Sequence, residues 1–294
     1  TKIKVINMAM KRVDSLNVMK NKPAEEYCLG FPGASAWECS HEEKTGGQHF
    51  VMNLPQGFRS VRGYNAASLD IYVLAGQLYL GAELMTIGSY TYIPSGMDFE
   101  ELYAENGARL LIFSDKKFEF FPQKQGEIDP HGDEHVPITD TWKMPWLDPM
   151  KDIVKKTTWV NPETGQEDRP PGVLTKALRK EGKTGEVVAL TSLSPGYVDP
   201  GTEHHPHNEC LYLISGDAYI GYTYDHRKED IKEDLVLHKD YYIGRPPGIR
   251  HGPVCTQNGA LFMVHLGSMY TGIYRDVDDW QTRVGDYLSV ASFR

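Results

Sequence analysis

The sequence predicts an all-β protein built as two tandem β-barrels. Three observations predict it. The chain carries 28 Gly and 18 Pro among 294 residues, which favours many short elements over a few long helices. Neither half shows a long apolar period of about 3.6 residues, whereas short β-rich runs bounded by Gly, Pro and Asp recur. The pattern also repeats once, at long spacing.

The repeat can be followed element by element. Leu54-Pro-Gln-Gly-Phe58 is echoed by Leu193-Ser-Pro-Gly-Tyr197, 139 positions on. Val73-Leu-Ala-Gly-Gln-Leu-Tyr-Leu-Gly81 is echoed by Leu213-Ile-Ser-Gly-Asp-Ala-Tyr-Ile-Gly221, with Gly76 and Gly216 140 positions apart. Each of these reads as a hairpin, two β-rich runs around a Gly turn. Tyr92-Ile-Pro-Ser-Gly96 is echoed by Ile243-Gly-Arg-Pro-Pro-Gly248, with Pro94 and Pro246 152 positions apart. The growth in spacing predicts an insertion in the second copy, and the charged stretch Asp225 to Asp234 suits an exposed loop. The expected division is residues 1–125 for the first copy, 126–170 for a linker rich in Pro, Asp and Gly, and 171–294 for the second copy. A short helix is expected from Trp142 to Lys156. Two domains also suit the length, at roughly 150 residues each.

Composition excludes several classes. Hydrophobic residues make up 40% and charged residues 24%, the balance of a globular chain rather than a disordered one. There are 31 Lys and Arg against 40 Asp and Glu, a net charge of -9, which argues against nucleic acid as a partner. The basic run Lys151 to Lys156, interrupted by Asp152, reads as a solvated face. No apolar run approaches the roughly 18 residues of a membrane span. Thr1 to Met10 lacks a signal pattern, so no membrane partner and a cytoplasmic location are expected. Cys28, Cys39, Cys210 and Cys255 form no C-x-x-C pair, which disfavours a structural zinc or a redox motif.

The chemistry gathers in the second copy. Six of the eleven histidines lie between 204 and 251, and Glu203-His-His-Pro-His-Asn-Glu209 holds three His and two Glu in seven residues. Neutral imidazoles with carboxylates are metal ligands. Glu203, His205, His207 and Glu209 share one parity, and alternate residues of an extended chain share a face. Pro246-Pro-Gly-Ile-Arg-His251 supplies another His after a sharp turn.

These features resemble the cupin family, small double-stranded β-helix barrels. Its first motif reads H-x-H, three or four residues, E, six residues, G. Glu209 and Gly216 match the second part, and Glu203 and His205 stand at the H-x-H. The second motif, P-x-G-x-x-H, is matched by Pro246, Gly248 and His251. The stretch from Pro171 through Gly196 is similar to the lead-in strands of ChrR-like cupins, and the likeness covers about 170 to 270. The resemblance implies one divalent metal ion held by His205, Glu209 and His251. Glu203, where the family has a His, is the fourth candidate ligand, with His207 and then His204 as alternatives. Fe(II) is the first choice of metal, with Mn, Zn or Ni as alternatives.

The first copy keeps the frame without the ligands. Gly63, Asn65 and Leu69 stand at the places of Glu203, His205 and Glu209, and Phe99 stands at the place of His251. It is expected to be a degenerate cupin that packs and helps close the other barrel's mouth. His131 and His135 read as loop residues, and His41, His49, His226, His238 and His265 as isolated surface or core residues. There is no phosphate loop and no G-x-S-x-G elbow. Cys210, next to Glu209, points to the other face.

Two His and a carboxylate with open positions is the pattern of non-haem Fe(II) oxygenases. The first expectation is a dioxygenase acting on a small aromatic or dicarbonyl-like substrate. The second is a redox-neutral isomerase or hydrolase, since a Lewis acid serves those reactions equally. The third is a non-catalytic sensor or sugar-binding protein. Arg245 and Arg250, within six residues of His251, are candidate contacts for a substrate anion. A homodimer is a further expectation.

Overall fold

A computed structural model describes residues 10–11, 13–28, 30–122, 134–148, 172–180, 186–197, 202–204, 207–220, 235–249, 251–252, 254–267 and 274–276. Helical elements among them are short 3-10 turns such as Val18–Lys20, Glu25–Cys28 and Thr141–Lys143. Among the described residues no helix is long and apolar enough to cross a membrane. The fold is otherwise β, in antiparallel sheets.

The chain forms two compact units, the first Asn17–Met144 and the second Thr1–Leu16 with Pro145–Arg294. The opening strand, β1 (Val13–Asn17), joins the sheet of the second unit. The first unit carries β2 (Ser35–His41), β3 (Gln48–Leu54), β4 (Phe58–Arg59), β5 (Gly63–Asn65), β6 (Leu69–Leu80), β7 (Glu83–Thr86), β8 (Ser89–Ile93), β9 (Asp98–Phe99), β10 (Leu102–Ala104), β11 (Ala108–Ser114), β12 (Phe120–Pro122) and β13 (Val136–Asp140). The second carries β14 (Val173–Lys180), β15 (Val187–Leu193), β16 (Thr202–His204), β17 (Glu209–Ile220), β18 (Leu235–His238), β19 (Tyr241–Arg245), β20 (Val254–Cys255), β21 (Ala260–Leu266) and β22 (Tyr274–Asp276).

The main sheet of the first unit runs β13-β8-β6-β11-β3-β2, and that of the second runs β1-β19-β17-β21-β15-β14. The two orders superimpose strand for strand. The matching pairs sit at the repeat spacings, with β6 and β17 both 12 residues long and 140 positions apart. In each unit the strand beside β8 or β19 comes from outside the repeat. β1 lies within the stretch expected to belong to the first copy, and β13 within the expected linker. A sheet edge leaves a row of backbone N–H and C=O groups unpaired, and an added strand covers it.

The hairpins expected at Gly76 and Gly216 are absent. β6 and β17 each run through the glycine as one bent strand. β17 pairs with β21 as far as Gly216, and from Asp217 it pairs with β18. β6 likewise leaves β11 at Gly76 and takes β7 from Gln77. Both glycines have positive φ, and an added Cβ would stand 2.2 Å from the Gly107 carbonyl at Gly76 and 1.9 Å from the Gly259 carbonyl at Gly216. The signal read as a tight turn is a corner at which one strand changes partners.

The helix expected from Trp142 to Lys156 is seen only as the turn Thr141–Lys143. Pro145 follows, and Leu147 then bridges to Thr175 as extended chain. The rest of that expected helix, the basic run Lys151 to Lys156 and the loop Asp225 to Asp234 lie outside the described residues.

Each unit has its own apolar core. In the first, Phe50, Met52, Leu69, Ile71, Leu110 and Ile112 come together from β3, β6 and β11. In the second, Leu211, Leu213, Ile243, Phe262 and Val264 come together from β17, β19 and β21. The alternate residues of these strands therefore mark the inner face.

Candidate metal centre

Glu209 opens β17 and shares its parity with Leu211 and Leu213, so it rises from the inner face of the second unit. His251 follows β19 across the turn Pro246-Pro-Gly248, where Gly248 has φ of 79°. Ile249 donates its N–H to the Pro246 carbonyl and closes this turn. The imidazole of His251 is buried, 2% exposed. Its Nε2 stands 2.9 Å from a carboxylate oxygen of Glu209. Two residues 42 positions apart in sequence are thus brought together as the motif spacing implies.

The other ring nitrogen fixes the tautomer. His251 Nδ1 lies 3.1 Å from the Ile249 carbonyl, which only accepts, so Nδ1 carries a proton. Nε2 is then the atom directed at Glu209. Its lone pair and a carboxylate oxygen repel at 2.9 Å unless a proton or a cation lies between them. A His whose second nitrogen donates to a backbone carbonyl is the arrangement of metal-bound imidazoles. Ligand atoms about 2.0–2.2 Å from one ion, at right angles, stand about 3 Å apart. The Glu209–His251 pair fits that demand.

Glu203 and His204 lie on β16, opposite Arg275 and Tyr274 of β22. His207 stands in the bend before β17, half-buried. His205 and Arg250 lie outside the described residues. Arg245 ends β19 as the direct partner of Glu209 in the β17–β19 ladder. It is 2% exposed and donates from Nη1 to the Val13 carbonyl of β1, 3.0 Å away.

At the matching places of the first unit, Leu69 and Asn65 are engaged within the fold. Leu69 is buried in the core, and Ile93 is its direct partner in the β6–β8 ladder. Asn65 is buried, and its Oδ1 accepts from the Ala67 and Glu119 N–H groups at 2.9 and 3.3 Å. Phe99 pairs with Gly63 across β9 and β5.

A second polar group in the second unit escaped sequence reasoning. His265 on β21 is the register partner of Cys210, one residue past Glu209, so it lies on the opposite face from the candidate centre. Its Nε2 is 2.6 Å from Glu186, whose same oxygen is 2.8 Å from Arg179. Burial alone would drive the His265 proton off, but the Glu186 charge and a bond with Cys210 outweigh it and raise the pKa to about 10. Burial would likewise protonate Glu186, yet His265 and Arg179 hold its carboxyl well below the usual range. His265 is therefore a charged member of a buried trio. Its only sequence signal is a lone polar residue in the apolar run Ala260–Leu266. None of the four cysteines forms a disulfide.

The strand order and its bent central strands define a cupin jelly roll. The chain belongs to the family described as a domain of unknown function, DUF4437, whose model matches residues 32–271. No curated protein matches the chain. Among solved structures it is similar to a protein of Nostoc punctiforme provisionally described as a dioxygenase, with a TM-score of 0.69 and 20% identity over 89% of this chain and 83% of that one. It is also similar to a mutant oxalate decarboxylase of Bacillus subtilis, with a TM-score of 0.57 and 13% identity over 96% of this chain and 85% of that one. A Pseudomonas aeruginosa protein provisionally described as glyoxylate-induced gives a TM-score of 0.57 and 14% identity over 87% and 88%. At these identities the likeness establishes the fold.

Proposed function

We propose that the protein is a bicupin and a metal-dependent enzyme whose single centre lies in the second unit. His205, Glu209 and His251 hold a divalent ion there, and Glu203 completes the set, with His207 or His204 in its place as the alternatives. The observation that carries this reading is the approach of His251 Nε2 to Glu209 at 2.9 Å, with Nδ1 committed to the Ile249 carbonyl. Glu209 brings the charge, the Ile249 carbonyl holds the imidazole in its ligating tautomer, and the apolar inner face excludes bulk water. Such an ion supplies a Lewis acid with open positions for a substrate and, where it is Fe(II), for dioxygen.

The reaction favoured is a dioxygenation of a small aromatic or dicarbonyl-like molecule. The two-His, one-carboxylate set supports it, as does the description of the Nostoc protein of like fold. Protein purified without oxygen and loaded with Fe(II) is expected to consume dioxygen with a substrate from a panel of such compounds, while the apo-protein does not. Turnover by the Mn or Ni form in the absence of oxygen would replace this reading with a redox-neutral isomerase or hydrolase. Failure of the protein to hold any divalent ion would overturn the enzymatic reading itself.

A further inference from the structure

We propose that the second unit keeps a pocket for an aromatic ring next to its metal centre, which makes the ligand of the centre a small aromatic molecule with a metal-binding head. This rests on the metal centre proposed above and names the part of the substrate that the ion does not hold.

The pocket is read from one row of residues across the sheet. Glu209 is the direct partner of Leu266, and Leu266 of Val187. Two residues further along the strands, about 7 Å away, the next row runs Leu211, Val264, Ala189 and Ala177, each the direct partner of its neighbour. Directly opposed residues send their side chains to the same face. Leu211 and Val264 belong to the apolar core of the unit. Ala189 and Ala177 therefore stand on the inner face, one row from the candidate ligand Glu209.

The first unit has the same row with different side chains. Ile71, Ile112, Phe50 and Glu38 are partners in the same order. They stand 140, 152, 139 and 139 positions before Leu211, Val264, Ala189 and Ala177. The register shift just past Glu38 recurs just past Ala177, which supports the match. Phe50 fills the first unit's row. It is fully buried, with its ring 5.1 Å from that of Tyr27 and 5.7 Å from that of Phe118. In the second unit Ala189 puts a methyl group in the place of that ring. Val264 is smaller than Ile112, and Ala177 is shorter than Glu38. Ile243, the partner of Leu211, is larger than its mate Thr91 but adds back far less than a ring.

Protein interiors are packed as closely as organic crystals, and a ring-sized space left unfilled costs stability. An apolar space of that kind stays dry and takes up aromatic molecules. The neighbours of Ala189 in the row, Val264 and Leu211, offer no hydrogen bond to a polar tail, so a flat apolar ring suits the place. This selects the aromatic class of substrate over a compact dicarbonyl one.

The test uses the full chain loaded with Co(II), whose visible spectrum reports on its ligands. The probes are benzohydroxamate and acetohydroxamate, which share a metal-binding head and differ by the ring. Benzene, which has no such head, reads the pocket alone in the metal-free protein. The wild-type protein is expected to bind benzohydroxamate at least about tenfold more tightly than acetohydroxamate, and to bind benzene. A189F is expected to keep its Co(II), to lose that preference to about twofold or less, and to lose benzene. A189V fills less of the space, and is expected to fold, hold Co(II) and fall between the two. Wild-type protein without the preference, or A189F retaining it, would overturn the proposal. So would unfolding of both variants, which would show that the chain itself fills the space. Absence of Co(II) from the wild-type protein would instead overturn the metal centre, and benzene binding would still decide whether the pocket exists.

Discussion

Place Leu69, Ile93 and Phe99 beside Glu209, Arg245 and His251. The first two members of each trio lie in sheets of matching strand order, and Phe99 and His251 stand 152 positions apart, the spacing of Pro94 and Pro246. In the first unit Leu69 and Ile93 are core side chains, and burying each contributes about 1.5–3 kcal/mol. In the second unit Glu209 and Arg245 give up that gain, and their desolvation adds a cost. A fold that tolerates the apolar pair has no structural need for the charged one. On the function proposed above, the difference separates what the frame requires, which both units share, from what the chemistry requires, which the second unit carries.

The comparison can be broken most sharply by making the second unit resemble the first. The double variant E209L/R245I is expected to lose its metal entirely. Its stability should hold or rise by about 1–4 kcal/mol in denaturant unfolding, as when buried charged groups are replaced by apolar ones of similar volume. A collapse of stability would show that the charged pair belongs to the frame. H251A should weaken metal binding by about a hundredfold or more while leaving the circular dichroism of the β-sheet unchanged. Wild-type metal occupancy in that variant would remove His251 from the site.

The trio of Arg179, Glu186 and His265 sharpens the contrast elsewhere in the same sheet, with His265 on the face opposite Glu209. Truncating one member of a buried charged group costs about 3–5 kcal/mol, and H265A is expected to lower stability by that order. The pH dependence has a definite sign. His265 titrates above its ordinary 6.5, so its contribution is full below about 6.5 and is lost as pH rises through about 10. Glu186 titrates below its ordinary 4.5, so its contribution is present above that value and is lost as pH falls further. Stability should therefore be greatest between about pH 5 and 7 as far as this trio is concerned. In H265Q the loss between about 7 and 10 should disappear. An unchanged alkaline limb in H265Q would show that other groups set it.

The smallest effect is expected from the reverse exchange. F99H adds one imidazole to the first unit, where the other matched places hold Gly63, Leu69 and Asn65, the last already engaged with Ala67 and Glu119. A metal needs three or four ligands, so no second ion should bind. Stoichiometric uptake by F99H would show that the two copies are wrongly matched.

Much of this is legible in the sequence. The Gly and Pro punctuation and the spacings 139, 140 and 152 anticipated the all-β class and the matched strands, because a repeated fold repeats its corners. The motif around Glu209 and the turn before His251 anticipated their meeting, because a sharp turn at fixed distance from a strand end fixes where its side chain goes. Other features were not legible. A glycine inside a β-run looks the same in sequence whether the strand reverses or bends, so Gly76 and Gly216 suggest hairpins where the strands bend. The recruitment of β1 and β13 to sheet edges depends on which edge is left open, and no local pattern records that. The partnership of Arg179, Glu186 and His265 joins β14, the residue before β15 and β21, and needs the register to be seen.

The central claim is one metal centre per chain, in the second unit. The direct measurement is the metal content of the full chain, after saturation with a divalent ion and removal of excess, for wild type and H251A in parallel. One equivalent in the wild type and close to none in H251A is the expected result. Two equivalents in the wild type, or one retained in H251A, would contradict it.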